Sequence, residues 1–122
     1  MSYNISFRVP IIGNDGKQRY YEFGNCCRSK LSWNLREMIQ ASTKLPWLRG
    51  ENNGLCKDVV PLIEKGLMEI EAFPDLYEQY QAPNGWGTIK DCRDFFKDII
   101  KSWARFKKYY PELSEVTIFW IV

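Results

Sequence analysis

The segment Pro83-Asn84-Gly85-Trp86-Gly87-Thr88 places two glycines directly ahead of a long helical pattern. Glycines leave backbone N–H groups accessible, and a helix N-terminus carries the positive end of the helix dipole. The segment therefore suits a phosphate or another anion, with Trp86 stacked on a base or sugar. Asn84, Gly85, Trp86, Gly87 and Thr88 are the first candidate ligand residues. Arg28 and Trp33, with Lys30, Asn34 and Arg36 close by in sequence, concentrate cations and an aromatic ring near a second helix start, and Arg49 follows in a loop. All of these residues also have structural explanations. Gly85 and Gly87 suit a tight turn, and Asn34 with Glu37 resembles a capping box, flanked by Trp33 and Met38 as a hydrophobic staple.

Other chemistry is missing from the sequence. With no histidine among 122 residues, Ser-His-Asp and Cys-His catalysis, histidine general bases and most catalytic zinc sites are excluded. The four cysteines lack the paired spacing of a thiolate zinc site: Cys26 and Cys27 are adjacent, Cys56 falls in a predicted loop and Cys92 on a predicted helix face. All four are expected to be reduced thiols, with no metal and no cofactor. No phosphate-binding loop, dinucleotide fingerprint or nucleophile elbow is present. An enzyme would have to use Asp, Lys, Tyr or a thiolate, so the balance falls toward binding.

Hydrophobic patterning predicts the elements that hold these residues. Tyr3, Ile5, Phe7 and Val9 alternate with polar neighbours, the period of a strand with one buried face. Gly13-Asn14-Asp15-Gly16 then predicts a turn into a second strand over Gln18 to Phe23, ended by Gly24-Asn25. A helix is expected from about Leu35 to Lys44, stopped by Pro46, and residues 47–54 read as a connection. A second helix follows with Asp58 as N-cap and Pro61 in its first turn, and a short helical piece after Pro74. The longest helix runs from Thr88, with Asp91 at its third position, to about Tyr110 before Pro111. Val116 to Val122 is apolar on both faces, as in a strand at the middle of a sheet. The expected fold is a single α+β domain over residues 1–122, with a small antiparallel or mixed three-stranded sheet (β-β-α-α-α-β) and helices packed on one face.

Charge sets the expected partners. The net charge of +2 gives no general pull toward nucleic acid, so nucleic-acid binding is disfavoured except along a local patch. Residues 51–87 hold two Lys/Arg against seven Asp/Glu, whereas residues 88–110 hold seven against three. On the last helix Lys90, Arg93, Lys97, Lys101, Arg105 and Lys108 recur at spacings of three and four. They form one cationic face that Asp94 and Asp98 partly neutralise, through pairs such as Asp94 to Lys97. Those six cations and Trp47 are the candidate protein-docking residues. Trp47 has no periodic core to join and is expected to be exposed at an interface. No leader pattern and no long apolar run is present, so the expectation is a cytoplasmic protein without a membrane segment. Homo-oligomerisation is expected from the sheet edges and the doubly apolar last strand.

Trp33-Asn34 with Met38, and Asn84-Gly85-Trp86-Gly87 ahead of the last helix, resemble motifs of small, uncharacterised accessory proteins of phages and prophages. The similarity spans most of the chain. It implies a stoichiometric, non-enzymatic factor acting in a host cytoplasm, possessing no activity that can be carried over. Two versions stay open, each a way to inhibit a host defence: sequestering a small anionic, nucleotide-like or phosphorylated ligand, or docking on a host protein. The alternatives are a small histidine-free enzyme and weak nucleic-acid binding along the basic face of the last helix.

Overall fold

The computed structural model describes residues 2–23, 31–83, 85 and 87–122, with Ser2 and residues 31–33 described by their backbone alone. The strands are β1 (Ser2–Tyr3), β2 (Ile5–Ile12), β3 (Gln18–Phe23), β4 (Leu31–Ser32), β5 (Glu51–Leu55) and β6 (Ile118–Ile121). The helices are α1 (Arg36–Thr43), α2 (Cys56–Ala72), α3 (Pro74–Tyr77) and α4 (Ile89–Tyr109). The main sheet has four antiparallel strands in the order β3-β2-β6-β5, and β1 pairs with β4 beside it.

The chain is therefore α+β with the main order β-β-α-β-α-α-β, and the expected three-stranded sheet is corrected to four strands. The extra strand is β5, whose sequence Glu-Asn-Asn-Gly-Leu looks like a loop. It is built around turn chemistry: the Asn52 side chain accepts a hydrogen bond from the Gly54 N–H at 2.7 Å, and Gly54 has φ of +113°. A register shift between Asn52 and Leu55 marks a bulge there. What makes the segment a strand is the free edge of β6, whose apolar sequence has to be paired on both sides.

The hairpin of β2 and β3 forms where expected. Gly13 and Gly16 exchange a 2.9 Å backbone bond across the turn, and Gly16 takes φ of +80°. Tyr3, Ile5, Phe7 and Val9 are buried, as their alternation requires. Register then divides the sheet: Phe7 lies opposite Phe119 and Ile5 opposite Ile121 on one face, while Ser6 lies opposite Trp120 on the other. On the first face Phe7 meets Trp103 and Phe106 of α4 edge-on, with ring centroids 5.6 and 5.5 Å away. Phe106 also meets Phe23 at 5.0 Å. Each such pair adds about 0.5–1.5 kcal/mol beyond the area it buries.

Helix α4 is the best specified element. The Thr88 hydroxyl accepts from the Asp91 N–H and the Asp91 carboxylate accepts from the Thr88 N–H, both at 3.2 Å, so the N-cap that the sequence marked is closed as a reciprocal capping box. Its stripe Cys92, Phe95, Phe96, Ile99, Trp103 and Phe106 is buried. The other helix starts differ from expectation. A 3₁₀ turn over Trp33–Leu35 precedes α1, so its N-cap position falls on the buried Leu35, with no side-chain cap bond, and not on Asn34. Helix α2 begins at Cys56, whose N–H donates to the Thr117 carbonyl at 2.9 Å. Asp58 is thus in its first turn and not its N-cap, and Pro61 lies one turn further inside.

Candidate functional site

The sequence pointed first to the turn before α4. Asn84 and Trp86 lie outside the described residues, so the placement of this turn rests on Gly85, Gly87 and Thr88. Gly85 is exposed with φ of +76° and has open space where a Cβ would be, so backbone conformation accounts for this glycine. Gly87 is buried, and a Cβ there would come within 2.9 Å of the Leu35 side chain. Close packing on the start of α1 accounts for the second glycine. The helix N-terminus itself is occupied: Ile89 N–H donates to the Gln81 side-chain oxygen at 3.0 Å, and Asp91 N–H to Thr88. The Asp91 carboxylate sits in the first turn of α4, where a bound anion would meet like charge.

The second candidate group is scattered differently. Arg28, Lys30, Cys26 and Cys27 lie outside the described residues, as does the Trp33 side chain. Arg49 is exposed, close enough to the Tyr3 hydroxyl for its charge to favour the phenolate, although burial dominates and pushes that phenol up.

Trp47 corrects an expectation. It is 1% exposed, with its ring 5.9 Å from Tyr3, 6.1 Å from Phe95 and 5.8 Å from Phe119, so it belongs to the core and is not available to a partner. The physical reason is a backbone kink. Lys44 ends α1 at φ of +63°, and Trp47 itself takes φ of +53°, which turns its side chain back beneath the sheet. Its indole N–H is buried with no hydrogen-bond partner among the described residues.

The cationic face of α4 is less cationic than its spacing suggests. Lys90 bonds Asp94 at 3.1 Å, and Lys97 reaches Glu71 on α2 at 3.4 Å, where the spacing pointed to an Asp94–Lys97 pair. Arg93 is half-buried, and its Nε is buried without a partner among the described residues. Lys101 and Lys108 are exposed, and Arg105 is exposed with an interaction of its own.

Among the described residues no cluster of His, Cys, Asp or Glu could hold a metal ion, and no helix is long and apolar enough to cross a membrane. Cys56 and Cys92 are buried. Desolvation, helped by the nearby Asp91 charge, pushes the Cys92 thiol up to about 12. A thiol is nucleophilic only as thiolate, so Cys92 stays protonated and inert at neutral pH. Peptide-resolved alkylation of the folded protein by iodoacetamide at pH 8 should leave Cys56 and Cys92 unmodified, with labelling only after denaturation. Rapid native labelling of Cys92 would instead revive a thiolate enzyme.

The surface missed by sequence reasoning lies on β2 and β3. Ile11, Ile12, Tyr20 and Tyr21 are all exposed, Ile12 to 76%, and with Pro10 opposite Tyr20 and Val9 opposite Tyr21 the register sets Ile12 and Tyr20 on one face of the hairpin end and Ile11 and Tyr21 on the other. Beside them, Arg8 lies 4.4 Å over the Trp120 ring, Tyr20 lies 5.6 Å from it, and Arg8 pairs with Glu22 at 3.6 Å. The signal was present in the sequence: β3 reads Gln-Arg-Tyr-Tyr-Glu-Phe, with two adjacent tyrosines that cannot both face a core. No protein-family model matches the chain, and no curated protein or solved structure does either.

Proposed function

We propose that the protein is a non-enzymatic binding module that docks in fixed ratio on another protein through the exposed end of the β2–β3 hairpin. The observation that carries this is the exposed end of the hairpin, where Ile12 and Tyr20 on one face and Ile11 and Tyr21 on the other leave four large apolar side chains in water. Clustered exposed apolar groups are costly in solution unless a partner covers them, and tyrosine is among the residues that dominate interface energetics. β3 is also an outer strand, so its outward backbone groups are available to an added strand. In the setting that the phage-type resemblance implies, the partner is a host protein, and docking on it would block a defence function.

Ligand sequestration at Asn84, Gly85, Trp86, Gly87 and Thr88 stands behind this reading, because Gln81 and Thr88 already satisfy two of the first N–H groups of α4. Nucleic-acid binding along Lys90 to Lys108 stands further back, since two of its cations are paired within the chain.

The test is native mass spectrometry of the protein purified gently from its producing cells, beside an Ile12→Ser/Tyr21→Ser variant. A partner held in fixed ratio by the parent and lost by the variant is expected. Equal retention by both, or a chain that carries nothing, would reject docking through the hairpin. Both positions are exposed, so circular dichroism and melting should be unchanged.

A further inference from the structure

We infer that the corner between α2 and α3 is a second docking site, and that its occupant is a basic, amphipathic segment of a partner protein. Met68, Phe73 and Leu76 are 68%, 56% and 55% exposed within nine residues of chain, and a groove of about 350 Å³ is lined by Lys65, Met68, Glu69, Ala72 and Phe73. The turn that gathers them is tight: Pro74 opens α3 immediately after the α2 C-cap Phe73, and the Leu76 N–H donates to the Phe73 carbonyl at 3.1 Å.

The charge around these apolar groups identifies the occupant. No Lys or Arg occurs between Lys65 and Lys90, whereas Glu69, Glu71, Asp75 and Glu78 fall in the same stretch. Glu69 accepts from the Tyr77 hydroxyl and is held in place, while Lys97 offsets Glu71, so the acidic rim rests on Glu69, Asp75 and Glu78. The end of α2 points the same way. A helix C-terminus carries the negative end of the dipole and ordinarily attracts Lys or Arg, yet the last turn of α2 has no basic residue of its own and contains Glu69 beside Glu71, the latter met by Lys97 of α4. Acid at a helix C-terminus beside exposed Met, Phe and Leu breaks two local rules in one place, and such breaks concentrate at functional sites. A cationic helix that laid its apolar face on Met68, Phe73 and Leu76 would compensate both. A second copy set corner to corner would bring two acidic rims together, and like charges across an interface are costly.

The inference is carried by residues other than those of the hairpin, and its test uses other variants. A helical Leu/Lys peptide and a matched Leu/Glu peptide would be titrated into the whole chain by calorimetry. Two variant chains accompany it, Met68→Ser/Phe73→Ser and Asp75→Asn/Glu78→Gln, whose side chains are on the surface. Saturable binding of the Leu/Lys peptide alone is expected, weakened at least about tenfold in each variant and further by added salt. Equal binding of the two peptides, no saturable binding, or affinity unchanged in either variant would overturn it. Concentration-dependent self-association of the parent that Met68→Ser/Phe73→Ser abolishes would also overturn it, by making the occupant a second copy.

Discussion

Replacing Trp47 by alanine is expected to lower the unfolding free energy by about 3–5 kcal/mol, the usual loss for a large aromatic in a close-packed core. Trp47 is among the largest fully buried side chains, and its ring touches β1 through Tyr3, α4 through Phe95 and β6 through Phe119. One residue thus joins three elements that are far apart in sequence, and the space it leaves cannot be refilled by any single neighbour. Trp47→Phe separates the two contributions. It keeps an aromatic ring in place and removes the buried indole N–H, which has no partner among the described residues, so its loss should be clearly smaller. Equilibrium urea unfolding followed by circular dichroism measures both. A Trp47→Ala protein as stable as the parent would mean that the ring spends its time outside the core, and would restore Trp47 to the list of docking residues.

Gly66→Val is expected to cost roughly 3 kcal/mol, at the top of the usual range for overpacking. Glycine inside an exposed helix is normally a weakness, since alanine gains about 1 kcal/mol in helix propensity. At Gly66 that sign is opposed by packing. A Cβ would fall 2.6 Å from Thr43 Cγ2, 3.3 Å from Phe96 and 3.4 Å from the Ser42 carbonyl carbon, because α1, α2 and α4 meet at this point. Thr43 cannot rotate away without loss. Its hydroxyl donates to the Ile39 carbonyl at 2.6 Å and accepts from the Leu45 N–H at 3.2 Å. Gly66→Ala should therefore fall near neutral or be mildly destabilising, and the two extra methyl groups of valine should carry the cost upward. Thermal melts of both variants decide the matter. A stabilised Gly66→Ala would show that α1 shifts outward easily, and would remove Gly66 as the reason for the close α1–α2 approach.

Both predictions concern the scaffold, and the scaffold determines which groups reach the surface. The β2–β3 hairpin exposes Ile11, Ile12, Tyr20 and Tyr21 because its outer half extends past the part of β2 that β6 pairs with, residues Ile5 to Arg8. The α2–α3 corner exposes Phe73 and Leu76 because Pro74 turns the chain away once α2 has delivered Ile70 to the core.

Local signals determined a large part of this protein in advance. The alternation from Tyr3 to Val9, the Gly13 to Gly16 turn and the Thr88 N-cap with Asp91 at the third position each depend on neighbours a few residues away, and each took its expected form. The absence of histidine likewise bounded the chemistry from composition alone. Contacts between distant segments decided the remainder. β5 is a strand because β6 presents an unpaired edge to it, although its own residues favour turns. Trp47 is buried because two left-handed residues fold its loop back under the sheet, a geometry that no hydrophobic period encodes. Apolar residues such as Ile12 and Met68 carry the same sequence signal as core residues, and only the placement of every other element leaves them without a cover.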